Sequence, residues 1–128
     1  MTRLLLVCLG GALGSGARYL VSISWPGGLG PGVPWATLAI NVTGSFLISV
    51  VMYLFTPAGL LGEDLRYLLA AGVLGGFTTY SSFNFEVLAL LQRGAWGLAG
   101  GYVALTLAGG LVAGMAGWAL ARAVVAAL

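Results

Sequence analysis

Four stretches of this chain carry apolar residues almost without interruption, each long enough to cross the hydrocarbon of a bilayer. A spanning helix needs about 20 predominantly apolar residues, at 1.5 Å each across about 30 Å. The first stretch runs from about Leu4 to Ser24 and is closed by Pro26-Gly27-Gly28. Turn punctuation continues through Gly30-Pro31-Gly32 to Pro34. The second runs from about Trp35 to Phe55 and stops at Thr56-Pro57 and the polar Gly62-Glu63-Asp64. The third covers about Leu65 to Leu91, ending at Gln92-Arg93-Gly94, and the fourth starts near Trp96 and reaches about Ala121, before Arg122. Trp25, Trp35, Trp96 and Trp118 fall near segment ends, where amphipathic rings settle at the headgroup level. No linker or domain-sized repeat divides the chain, so residues 1–128 read as a single four-helix transmembrane domain.

Composition agrees. Of 128 residues 60% are apolar and 6% charged, whereas a soluble domain uses about a quarter of its residues for charge. The surface is therefore dressed for lipid. Five scattered arginines, with no lysine, do not make the basic patch that a nucleic acid requires. Histidine is absent and Cys8 is the only cysteine, so an intrachain disulfide and a zinc site of ordinary spacing are both excluded. Cys8 reads as a small apolar residue. Arg3, the apolar run and Gly14-Ser15-Gly16-Ala17 imitate a secretory signal. Apolar character resumes at Tyr19-Leu20-Val21, however, which marks a retained helix.

An even number of spans puts both termini on one side, with Arg3, Arg66 and Arg122; the other side has Arg93 and, if shallow, Arg18. Three against two is a weak orientation signal. It leaves open whether one orientation wins or the chain inserts both ways round, which would make an antiparallel dimer available. The 22 glycines include pairs four apart, Gly10 with Gly14, Gly72 with Gly76 and Gly110 with Gly114, a spacing that lets helix backbones approach closely.

Polar side chains inside a span are costly and face a partner or a wet path. The first span holds Arg18 and Ser15; the second holds Thr37, Asn41 and Ser45 on one face; the fourth holds Tyr102 and Thr106 one turn apart. The third differs in kind. Its middle, Gly75-Gly76-Phe77-Thr78-Thr79-Tyr80-Ser81-Ser82-Phe83-Asn84-Phe85-Glu86, is poor helix material near the bilayer centre. Helices are interrupted at that depth only where freed carbonyls find a partner. Hydroxyls donate hydrogen bonds and ring edges are electropositive, so the segment suits a small anion. Hydroxyls bonded back to their own helix, with rings filling the core, are the plainer alternative.

These residues resemble the Fluc (CrcB) family of fluoride channels over essentially the whole chain. The first span has Gly10-Gly11-Ala12-Leu13-Gly14 leading to Arg18-Tyr19. In the second, Thr37-Leu38-Ala39-Ile40-Asn41-Val42-Thr43-Gly44 is similar to that family's Thr-Leu-x-x-Asn-x-x-Gly. The third, from Gly72 and Gly75-Gly76 through Thr78-Thr79-Tyr80-Ser81-Ser82-Phe83, is similar to its Gly-Gly-x-Thr-Thr-Phe-Ser-Thr-Phe.

The resemblance implies an all-α membrane protein with a broken third helix. It also implies an antiparallel, dual-topology homodimer in a prokaryotic inner membrane, with two fluoride pathways beside the interface. Asn41 would donate its amide to fluoride, and the rings at Tyr80 and Phe83 would present their edges, one from each subunit. Ser81, Ser82 and Tyr102 match the polar lining. Main-chain carbonyls of Gly75 and Thr78 would hold a structural Na+ on the two-fold axis, where each donor is duplicated. Arg18 is assigned to the vestibule, with Glu86 solvated or paired nearby. Two departures stand out: Tyr80 replaces the usual Phe, adding a donor and bulk, and Ser82 replaces Thr, losing only a methyl.

Rivals fare worse. A proton-coupled multidrug exporter needs a titratable acid in the first span, which has Arg18 instead. A non-conducting assembly subunit has no use for the polar third span. An enzyme lacks a nucleophile–base pair. No nucleotide-binding loop is present, so passive export is expected, of fluoride that enters as its neutral acid and is trapped as the anion.

Overall fold

The computed structural model describes residues 1–25, 32–55 and 62–128, and every regular element among them is helical. The Pro26–Pro31 and Thr56–Pro57 turn residues lie outside the described residues. Helix α1 is Thr2–Ser24 and α2 is Trp35–Phe55. The third span begins with a helical turn, α3, Glu63–Arg66. It continues as a π-helical segment, Tyr67–Leu74, and a last turn α4, Gly75–Phe77. The chain then opens at Thr78–Thr79 and resumes as α5, Tyr80–Gln92; α6 is Trp96–Ala126. The expected broken third helix is therefore present. Three helices, α1, α2 and α6, are by themselves long and apolar enough to cross a membrane.

Two ends differ from the sequence expectation. Gly62 lies between the spans as the N-cap, but Glu63 and Asp64 form the first turn of α3, where carboxylates meet the positive end of the helix dipole. Helix α6 runs past Arg122 to Ala126, over 31 residues. A charge ends the stretch that lipid tolerates, but Ala121 and Ala123 on either side of Arg122 keep the backbone helical, since Ala and Arg are good helix formers. Trp118 consequently lies two turns inside α6 and not at its end.

Alternating spans run in opposite directions, so α1 is parallel to the third span and α2 to α6. Helix α1 packs chiefly on the π-helical segment and α4, and α2 chiefly on α6. Glycine makes the first contact possible. A Cβ added to Gly72 would lie 2.9 Å from Gly10 Cα, and one added to Gly76 would lie 2.6 Å from Gly11 O. Backbone therefore rests on backbone, the geometry in which dispersion replaces a missing hydrophobic drive. At the terminal face Arg3 binds both acids of α3, Glu63 and Asp64, and its guanidinium lies 4.9 Å from the Tyr67 ring centre.

The reversal after α5 has a simple cause. Gly94 adopts φ 75°, Gly94 N–H donates to Leu91 O at 2.9 Å, and Ala95 N–H donates to Leu90 O at 3.0 Å. This is a Schellman cap, which needs a left-handed residue just past the helix. It returns α6 antiparallel along α5, where Phe83, Leu90, Ala99 and Tyr102 form a buried cluster. Leu5, Leu9 and Leu13 of α1 are more than half exposed, the outward apolar face of a protein whose solvent is lipid.

Candidate functional site

The site is built around the break. Thr78 has ψ 155° and Thr79 φ −150°, ψ 105°, both extended. Helical hydrogen bonding fails across two such residues, and the freed groups must find other partners. Asn41, in the first half of α2, supplies them: its Oδ1 accepts Thr79 N–H at 2.9 Å and its Nδ2 donates to Thr79 C=O at 3.1 Å. The side chain thus clamps both main-chain groups of one residue. One Nδ2 proton is left over by this arrangement, because a primary amide has two.

One turn further along α2 is Gly44, and a Cβ there would collide with the Thr78 methyl. Glycine at 44 lets α2 lie close enough for Asn41 to reach. Thr79 also starts α5: its Oγ1 accepts Ser82 N–H at 3.2 Å and donates to Ser82 Oγ at 2.9 Å, with Ser81 Oγ 3.5 Å away. A threonine cap of this kind satisfies an orphan N–H at a helix start.

The diverted donors identify which carbonyls lose theirs. In an unbroken helix Thr79 N–H would bond Gly75 C=O and Ser82 N–H would bond Thr78 C=O. Here they go to Asn41 Oδ1 and Thr79 Oγ1. Tyr80 and Ser81 N–H, in the first turn of α5, likewise have no helical acceptor, so the break deprives all four carbonyls from Gly75 to Thr78. Of these residues Gly75 and Thr78 line a groove of ≈ 530 Å³ together with Asn41, Tyr80, Phe83 and Thr106. Hard cations accept ligands of this type.

Aromatic rings form a file beside the break. Phe83 is 8% exposed and Tyr102 0%, while Tyr80 is 77% exposed. The Phe83 ring meets Tyr102 edge-on at 5.2 Å between centres and Tyr80 at 6.0 Å. Two rings thus belong to the interior of the chain, and Tyr80 projects outward from the middle of a span. The sequence pattern groups Tyr80 and Phe83 as equivalent; their neighbours separate them.

Beyond Phe83, Tyr102 OH donates to Glu86 Oε2 at 2.7 Å and Thr37 Oγ1 donates to Glu86 Oε1 at 2.7 Å. Both carboxylate oxygens are thereby held by hydroxyls from two other helices. The sequence leaves Glu86 either solvated or paired, and offers Thr37 only as a neighbour of Asn41 on α2. The signal is the shared α2 stripe of Thr37 and Asn41, but the partner across the bundle is not readable from it. Arg18 stands apart from these contacts: it is partly exposed on α1, one turn beyond Ser15, whose hydroxyl is 3.5 Å from Gly76 O. The geometry does not bring Arg18 to the residues around Asn41.

The family model for CrcB-like protein, Camphor Resistance (CrcB), matches residues 5–118. A protein of Anaeromyxobacter sp. (strain K), named fluoride-specific ion channel FluC, is 53% identical over 122 residues, covering 95% of this chain and 97% of its own. A namesake from Thermus thermophilus is 50% identical over 125 residues, covering 98% and 99%. A third, from Agrobacterium fabrum, is 45% identical over 123 residues, covering 95% and 98%. With its span pattern, broken third helix and end-to-end similarity in agreement, the chain belongs to the CrcB family of multi-pass membrane proteins.

Proposed function

We propose that the protein is a fluoride-specific ion channel of the plasma membrane, which lets fluoride leave the cell passively. The observation that carries this reading is the helix break at Thr78–Thr79, held open by the Asn41 amide among hydroxyls and ring edges. Fluoride is small and strongly hydrated, so a path must replace its water with donors already in place. The remaining Nδ2 proton of Asn41, the hydroxyls of Ser81 and Ser82, and the electropositive edges of Phe83 and Tyr80 are such donors; Tyr102, whose hydroxyl donates to Glu86, lines the way beside them. The same donors disfavour a cationic drug.

The functional unit in this reading is an antiparallel homodimer with two pores. Tyr80 supports it: a ring 77% exposed beside an open groove is completed by a second copy, which would take Tyr80 into its own path alongside its Phe83. Near-balanced arginines support insertion in both orientations. The donor-deprived carbonyls of Gly75 and Thr78 fit a structural sodium ion, duplicated by the two-fold axis; bound there, sodium would tie the two breaks together as a hard, oxygen-ligated cation. Arg18 is assigned to a vestibule, where its positive charge raises the local anion concentration. Glu86, held by two hydroxyl donors, orients Tyr102.

The test is direct. Purified protein is reconstituted into potassium-loaded liposomes, and release is followed with fluoride- and chloride-sensing electrodes after valinomycin is added. Rapid fluoride release with negligible chloride release is expected. Release of neither ion by protein of dimeric size would refute the channel reading and favour an assembly role.

A further inference from the structure

The groove beside Asn41 does not end at Thr106. A second groove, of ≈ 450 Å³, is lined by Ser45, Ser49, Gly110, Gly114 and Trp118 among others. It shares Ser45, Ile48, Gly110 and Leu111 with the first. The two are one continuous furrow along the seam between α2 and α6, leading from the break toward the end of α6.

Along α6, Tyr102, Thr106, Gly110 and Gly114 recur every four residues and so share a face. Thr106 Oγ1 is buried, with no hydrogen-bond partner among the described residues, and a buried hydroxyl left so is expensive unless something visits it. At the next two positions of this row, Gly110 and Gly114, α6 has no side chain to offer. The other helix fills in: a Cβ on Gly110 would lie 3.3 Å from Ser45 Oγ, and one on Gly114 would lie 3.3 Å from Ser49 Oγ. Hydroxyls from α2 thus stand where α6 has none. At the far end Trp118 lines the furrow, and the Arg122 guanidinium lies 5.5 Å from its ring centre.

We propose that this seam is the outer limb of the anion path, with Ser45 and Ser49 as its donors and Arg122 as its positive mouth. The proposal rests on the fluoride-channel reading and adds a route and residues to it. The row crosses from α6 to α2 at Thr106, in steps of about one helical turn (~5.4 Å), and keeps a hydroxyl within reach throughout. Ser45 Oγ now donates to Asn41 O at 2.8 Å. That carbonyl also takes the helical N–H one turn on, so the hydroxyl can swing to an arriving anion without leaving it unsatisfied. An anion is the stronger acceptor, since charge-assisted bonds exceed neutral ones about twofold.

The experiment measures fluoride release from the liposomes described above for wild type, Ser45→Ala, Ser49→Ala and the double variant. Each lost donor to an ion is expected to slow release on the order of tenfold, with elution volume unchanged. A hydroxyl swap separates chemistry from packing: Ser45→Ala with Gly110→Ser returns a hydroxyl to the same space from α6, whereas Ser45→Ala with Gly110→Ala returns only bulk. Recovery of most of the flux by the serine swap and not by the alanine swap supports the proposal. Wild-type rates in the Ser45→Ala, Ser49→Ala double variant, or equal rescue by both swaps, would overturn it while leaving the channel reading intact. Wild-type liposomes that release no fluoride would overturn both.

Discussion

Asn41→Asp is the sharpest single perturbation of this site, because it changes one atom group and two functions. The carboxylate can still accept Thr79 N–H, the bond at 2.9 Å. It cannot donate to Thr79 C=O, now 3.1 Å from Nδ2, and it places like partial charges face to face. Loss of that donor removes one of two bonds to Thr79 C=O, which as the N-cap of α5 keeps the Phe83 N–H, at a cost of about 0.5–1.5 kcal/mol. The larger effect falls on the ion. A carboxylate about 4 Å from a passing anion repels it by about 4 kcal/mol at an effective dielectric of 20. At about 1.4 kcal/mol per decade this slows flux about a thousandfold. Asn41→Leu is the companion variant: it has no charge but loses both bonds to Thr79, so it should lower thermal stability more than Asp does. The assay is liposomal fluoride release beside a thermal unfolding curve in detergent. Fluoride release by Asn41→Asp within a few-fold of wild type, in protein of wild-type size, would refute both the clamp and the donor role.

Phe83→Ile keeps apolar bulk but removes the edge contact with Tyr102 at 5.2 Å; fluoride release should fall at least tenfold with unchanged elution volume, since an aliphatic side chain has no electropositive edge to offer. Gly44→Ala pushes a methyl into that of Thr78, and overpacking of this kind costs about 1–3 kcal/mol. Its unfolding midpoint should drop and its fluoride release slow, as Asn41 is carried away from Thr79; a wild-type midpoint would show that α2 yields without strain.

How much of this was legible in advance can be judged residue by residue. Span number and position follow from transfer energetics summed over about 20 residues, a local property that no neighbour can reverse. The segment that breaks is narrowed to the stretch from Gly75 to Glu86, because its glycines and paired hydroxyl residues have weak helix propensity; that the break falls at Thr78–Thr79 comes from the structure. Membership of the family was carried by motifs in three separate spans. All of these are written along one segment at a time.

What only tertiary structure decided are pairings between segments. Nothing within α2 says that the Asn41 amide closes on Thr79, or that Thr37 reaches Glu86 opposite Tyr102, since each bond joins residues on different helices. The distinct fates of Tyr80 and Phe83, three positions apart on α5, depend on what packs beside each ring. Likewise Gly110 and Gly114 read as a packing motif, and only the approach of Ser45 and Ser49 reveals that α2 furnishes the hydroxyls on that seam. The physical reason is the same in each case: propensity and hydropathy act through a residue's own segment, whereas a hydrogen bond needs a partner within about 3 Å, and packing alone brings that partner there.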